Sequence, residues 1–170
     1  MERLVGDLLL LAKADANRFM TARTPVSLDQ AVRDEVARLP GHGTVEVDMS
    51  NVAPATVIGD PEAVARVVSN LLHNAVRHAR CRVGVSVQPV NGHVELMVTD
   101  DGPGIPSDAR ERIFERFTRL DQARARDDGG SGLGLAIVRE IVTAHGGRVA
   151  VGEGGPGAVF IVQLKAASGD

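Results

Sequence analysis

Apolar residues recur along this chain with two different periods, and the change from one to the other marks out its elements. In residues 2–19, ERLVGDLLLLAKADANRF, the side chains of Leu4, Val5, Leu8 and Leu11 fall at helical spacing with charges on the other side. That predicts an amphipathic helix with no partner inside its own segment. Residues 21–25 break it, because Pro25 cannot continue a helix. A second helix is expected over residues 28–39 with Ser27 as N-cap, followed by a turn at 41–43. Period-two alternation then appears at Val45/Val47, at Val83/Val85/Val87, at Val94/Leu96/Val98 and at Ala158/Phe160/Val162/Leu164. Such alternation marks strands buried on one face. Helices are expected between them at residues 61–78 and 133–145. Asn91-Gly92 is the signal of a tight hairpin, and Gly146-Gly147 of a turn. No internal repeat is visible. Helices and antiparallel hairpins in this order predict an α+β fold, a two-layer sandwich with one sheet covered by helices on one face.

Composition narrows the function. The 170 residues are enough for one full core with a small appendage, and 44% apolar with 24% charged residues is ordinary for a globular domain. Trp and Tyr are absent and there are only four Phe, so Val, Leu, Ile and Ala must build the core. A net charge of −3 and the shortage of aromatics both argue against a nucleic-acid surface. Any phosphate ligand must be met by a local site. Cys81 stands alone and can form no internal disulfide, which fits a reducing compartment. The apolar run at residues 8–12 is too short to span a bilayer and lacks the layout of a signal peptide. A soluble, cytoplasmic segment that is not itself membrane-embedded is the expectation.

Three stretches suggest chemistry. The first is the helix beginning at Asp60-Pro61, an N-cap followed by proline at the first helical position. Val64, Val67, Val68, Leu71, Leu72 and Ala75 form its apolar arc. Arg66, Asn70, Asn74, Arg77 and His78 lie on a neighbouring arc, with Asn70 and Asn74 one turn apart. A solvated face is the ordinary explanation for such a stripe. Asparagine is a poor choice for it, since Glu, Lys or Gln propagate helix better. A metal and phosphate site is the sharper alternative, because amide oxygens suit Mg²⁺ while Arg77 and His78 can reach phosphate oxygens.

The second stretch is HVELMVTDDGPGIP, residues 93–106, in which Asp100 continues the inward row of Val94, Leu96 and Val98. A buried carboxylate needs a partner. Turn amides are one choice, and an exocyclic amine such as that of adenine is another; Gly102 and Gly104 let backbone approach a flat ligand. The third is GGSGLGLAIV, residues 129–138, a glycine hinge opening a helix. Lys followed by Ser or Thr is missing after its last glycine, which excludes a Walker phosphate loop. The charged residues before it exclude a dinucleotide fingerprint, which needs a strand there. Either a flexible cap or a phosphate-binding helix start remains. RLDQARARDDGGSG, residues 119–132, has the polar and glycine-rich composition of a mobile loop.

In combination and in this order, residues 70–78, 100–104 and 130–135 resemble the N, first glycine and second glycine boxes of sensor histidine kinases. IFERF at 113–117 resembles the phenylalanine box between them, and GGPGAVF at 154–160 the last glycine box. The resemblance covers about residues 25–165 and extends to the wider ATPase superfamily of gyrase, MutL and a heat-shock chaperone, which implies a Bergerat-type ATP-binding fold. It implies Asn74 as Mg²⁺ ligand with Asn70 beside the metal and its waters, Arg77 and His78 facing the phosphates, and Asp100 on the adenine amine. Gly102, Gly104 and Ile105 would floor the base pocket. Ser131, Gly132, Leu133, Gly134 and Leu135 would border and cover the phosphates, with residues 118–131 as the ATP lid. Gyrase-like relatives have a water-activating glutamate where Asn70 stands, and an asparagine cannot be that base. Phosphoryl transfer from ATP to a protein is thereby favoured over hydrolysis. Ala158 departs from the threonine frequent in the last box.

By the same resemblance, residues 1–24 are the end of the second helix of a dimerisation and histidine-phosphotransfer hairpin, and 25–168 the ATP-binding catalytic domain. None of His42, His73, His78, His93 and His145 has the context of a phosphoacceptor. The partners implied are a histidine-phosphotransfer domain, in cis or on another chain, and a response regulator downstream. The parent kinase is expected to be anchored in the membrane. Met1 falls inside what is usually one continuous module, which leaves a trimmed piece or a naturally split kinase. The alternatives are a serine kinase or anti-sigma switch protein on the same fold, and a non-catalytic nucleotide-binding module.

Overall fold

The computed structural model describes residues 22–39, 45–118 and 131–167. The helix expected at 2–19 and most of the expected lid lie outside these residues.

Alternating apolar residues become strands in which every second side chain is buried. The central hairpin pairs β4 (Arg82–Val90) with β5 (His93–Asp100), antiparallel and in register from Val83↔Asp100 to Val90↔His93. Asn91 (φ 48°) and Gly92 (φ 80°) close it, the two positive φ values of a type I′ turn. β7 (Val159–Lys165) lies antiparallel beside β5, and β6 (Arg148–Val151) beside β7. On the other edge β2 (Glu46–Val52) pairs with β4 in parallel, so the five-stranded sheet is mixed, in the order β2-β4-β5-β7-β6. Val85, Val98 and Phe160 form one cross-strand row of the buried face, and Val87, Leu96 and Val162 the next. Cross-strand apolar contact of this kind is what holds a sheet face together.

Three helices among the described residues cover that face. α1 (Leu28–Arg38) contributes Leu28 and Val32, α2 (Pro61–His78) its whole expected apolar arc, and α3 (Gly134–Ala144) Ile137, Val138, Ile141 and Val142. Leu71 and Leu72 are fully buried, and each such side chain contributes about 1.5–3 kcal/mol. The result is the two-layer α/β sandwich expected from the pattern.

Three strands had no alternating signal long enough to read. β1 (Thr24–Ser27) and β3 (Thr56–Gly59) form a separate antiparallel two-stranded sheet. Residues 21–25 read as a simple break, but Pro25 sits in this short edge strand, where a missing N–H is tolerated. β6 is the third. Ser27 does precede α1, yet its hydroxyl makes no capping bond. Instead Leu28 N–H donates to the Ala55 carbonyl (2.9 Å), and Ala55 N–H donates to Asp29 Oδ1 (3.2 Å). A tertiary contact thus does the work of the cap.

Candidate functional site

β5 runs between β4 and β7, and its last residue is Asp100. Because Asp100 follows Val94, Leu96 and Val98 on the inward face, its side chain is only 6% exposed. Oδ1 accepts from Gly102 N–H (2.8 Å) and Ala158 N–H (3.2 Å). Oδ2 is buried and has no partner among the described residues. An unsatisfied buried acceptor is costly and uncommon, so this oxygen is poised for a donor brought by a ligand. Two glycines make the room. A Cβ at Gly102 would stand 2.3 Å from the His78 carbonyl oxygen, and one at Gly157 would stand 2.5 Å from Asp100 Oδ1.

α2 supplies the neighbouring polar stripe. Asp60 Oδ1 caps the helix by accepting from Glu62 N–H (3.0 Å) and Ala63 N–H (3.1 Å), and Pro61 follows as expected. Asn70 is half-buried and donates from Nδ2 to the Gly134 carbonyl (3.2 Å), tying α2 to the first residue of α3. Asn74, one turn on, is half-buried and makes no hydrogen bond with another described residue. Arg77 is exposed and His78 half-buried in the last turn. Asn70 and Asn74 therefore differ: one amide is already engaged with backbone, the other is available. His73 bonds back along its own helix, Nδ1 to the Ser69 carbonyl (2.8 Å), and is no part of the stripe.

The third element begins at Ser131, whose hydroxyl accepts from Leu133 N–H (3.3 Å). Gly132 has φ +69°. Leu133 is wholly buried, so its side chain anchors α3 in the core and only its backbone can face a phosphate. Gly134 and Leu135 are half-buried at the opening of this eleven-residue helix. Amides in a helix's first turn have no intrahelical acceptor and favour anions. Gly104 and Ile105 line a cleft of about 310 Å³ that also meets Gly157, Ala158 and Arg110. Arg110 Nη1 pairs with Glu153 across the loop (3.0 Å).

Several contributors left no mark in the pattern. Ala158 acts through its backbone N–H, and only the β5–β7 register reveals it. His145 is buried between helices, with Nδ1 bonding the Ile141 carbonyl (2.8 Å) and Nε2 accepting from Asp60 N–H (3.1 Å). That second bond fixes the proton on Nδ1 and joins the end of α3 to the start of α2. Asp101 faces away from Asp100. Its carboxylate accepts from Arg80 N–H (2.7 Å), Cys81 N–H (3.2 Å) and the Cys81 thiol (3.0 Å). The thiol bond, aided by the backbone N–H groups, holds the Asp101 carboxyl well below the usual carboxylate range. Reciprocally, the hydrogen bond to Asp101 and its negative charge push the Cys81 thiol up. Among the described residues no group of three or more His, Cys, Asp or Glu could hold a metal ion.

Residues 59–168 match the family profile described as "Histidine kinase-, DNA gyrase B-, and HSP90-like ATPase". The chain belongs to this family. The chain is 40% identical over 161 residues to the signal transduction histidine-protein kinase/phosphatase MprB of Mycolicibacterium smegmatis, covering 92% of this chain and 32% of that protein. Among solved structures it is similar to a mycobacterial sensor histidine kinase MprB, with TM-score 0.74, 35% identity, and coverage of 85% of this chain and 97% of that one. Full-length ShkA in complex with AMPPNP matches with TM-score 0.75 and 29% identity, over 98% of this chain and 38% of that one. The chain spans about a third of the length of the curated relatives it matches.

Proposed function

We propose that this ATPase domain is the catalytic part of a two-component sensor histidine kinase. It binds ATP·Mg²⁺ and presents the γ-phosphate to a histidine on a separate domain or partner chain. The observation behind this reading is the buried Asp100 side chain, one oxygen saturated by backbone amides and the other unpartnered. A purine amine is a donor of the right kind for that oxygen, and Gly104 and Ile105 line a cleft that reaches Gly157 and Ala158, the residues packed on Asp100.

The remaining residues take roles set by their chemistry. The Asn74 amide oxygen is the available hard ligand for Mg²⁺, and Arg77 and His78 offer donors to phosphate oxygens. The amides of residues 132–135 face anionic charge at the start of α3. A bound magnesium ion would neutralise charge on the phosphate oxygens. Phosphoryl transfer breaks the bond from the γ-phosphorus to the bridging oxygen as a bond to the acceptor imidazole nitrogen forms, and catalysis is mainly positioning. Asn70 is an amide engaged with Gly134, so it offers no base for activating water, which supports transfer over hydrolysis. Residues 25–168 constitute the catalytic domain and 1–24 the end of the phosphotransfer hairpin. The acceptor domain and a response regulator are the partners, on the cytoplasmic side of the membrane. No helix among the described residues is long and apolar enough to cross a bilayer.

Mixing the chain with a separately purified histidine hairpin and γ-labelled ATP tests the reading. Acid-labile label should appear on the hairpin and not on this chain. Label on a serine, or on a histidine of this chain, would refute the assignment.

A further inference from the structure

Asp101 is not needed to saturate Asp100, yet it makes more hydrogen bonds than its neighbour. The amides of Arg80 and Cys81 are the first after α2 ends at His78 and Ala79, and the Asp101 carboxylate takes both, at 2.7 and 3.2 Å. It takes the Cys81 thiol as well, at 3.0 Å, and Asp101 N–H donates to the Arg82 carbonyl at 3.2 Å. One turn, residues 100–102, is thereby cinched to the segment 80–82 that leads out of the asparagine helix. Gly102 packs so closely against the His78 carbonyl that no side chain fits between them.

Asp100 itself does not depend on this cinch. Its N–H donates to the Ala158 carbonyl (3.0 Å), and Oδ1 is fixed by Gly102 and Ala158. The segment that leaves α2 is joined to the 100–102 turn by the hydrogen bonds of Asp101, beside the close packing of Gly102 on the His78 carbonyl. We infer that Asp101 is a positioning residue that sets the spacing between the two halves of the nucleotide site: the base half at Asp100, and the phosphate half at Arg77 and His78. This rests on the nucleotide reading above. It makes a distinctive demand, because a ligand spanning both halves should feel the loss of Asp101 while a ligand occupying only the base half should not.

Calorimetric titration of the whole chain with ATP·Mg²⁺ and, separately, with adenosine tests it. Asp101→Ala should weaken ATP about tenfold and adenosine by less than about twofold. Asp101→Asn keeps one acceptor oxygen and should restore part of the ATP affinity, to within roughly threefold of wild type. Cys81→Ala removes one donor of several and should leave both ligands within about twofold. Equal losses for ATP and adenosine would mean that Asp101 acts only on general stability, and overturn the inference. So would wild-type ATP affinity in Asp101→Ala, or, where that variant does not fold, Asp101→Asn weakening both ligands alike. A wild-type chain that takes up neither ligand overturns the nucleotide reading and this inference together; wild-type binding with the wrong pattern in the variants overturns this inference alone.

Discussion

Asp100 and Asn74 belong to one candidate site but are held by very different amounts of structure. Asp100 ends a strand paired on both sides, and its inner oxygen is pinned by two backbone amides. Asn74 projects from a helix, half-exposed, with no described hydrogen-bond partner. The base end of the pocket is therefore built by backbone before any ligand arrives. The metal end is a set of side chains whose arrangement the ligand completes. Preorganisation favours affinity where it exists, and ordering must be paid where it does not.

The sharpest way to break this contrast is to attack the backbone cradle. Gly157→Ala places a Cβ 2.1 Å from the Asp100 carbonyl oxygen. It should abolish measurable ATP binding and destabilise the fold by about 3 kcal/mol or more, read by thermal melting. Next comes Asp100→Asn, which keeps an acceptor for Gly102 and Ala158 but turns a donor toward the ligand. ATP affinity should fall by about 1.5–3 kcal/mol, roughly ten- to a hundredfold, in a folded protein. Unchanged affinity would remove the base from this end.

Asn74→Ala should act differently, abolishing the Mg²⁺ dependence of ATP binding while metal-free binding stays near wild type. If metal dependence survives, another ligand holds the ion. Asn70→Ala should cost about 0.5–1.5 kcal/mol of stability through its lost bond to Gly134, visible as a lowered melting temperature.

The smallest effect is in acid. Asp101 is held below its ordinary range, so its stabilisation is complete above the unfolded carboxylate value and disappears as pH falls through the folded one. Cys81, pushed up, adds a contribution that is complete below the ordinary thiol value and lost as pH rises through the folded one. Wild type should lose stability below about pH 4 more steeply than Asp101→Asn, measured by melting across pH.

The contrast also explains what could be read in advance. Leu71, Leu72 and Ala75 announce α2 because burial imposes a period on sequence. Asp100 was legible for the same reason, as a charge in an apolar row. Asn70 and Asn74 stood out as weak helix formers at helical spacing. Gly157 and the Ala158 amide were not legible as partners of Asp100, since backbone donors have no residue type and strand register is a long-range property. Asp101 carries no signal of its own in the sequence, because its bonds to residues 80 and 81 depend on where β4 starts. Leu133 stands in a glycine motif while its side chain belongs to the core, so any contact with a phosphate falls to its backbone.

At the neck of residues 118–131, Phe117 N–H donates to the Gly132 carbonyl at 3.0 Å, and both residues adopt positive φ, 63° and 69°. Phe117 accepts this unusual backbone while 64% exposed, so the conformation serves the crossing and not burial. Stapled ends uncouple the length of whatever runs between them from the framework beneath, because closure entropy grows only logarithmically, about 0.6 kcal/mol per doubling. Evolution, or an engineer, can lengthen, shorten or rewrite the sequence between residues 118 and 131 while the platform on either side keeps its shape.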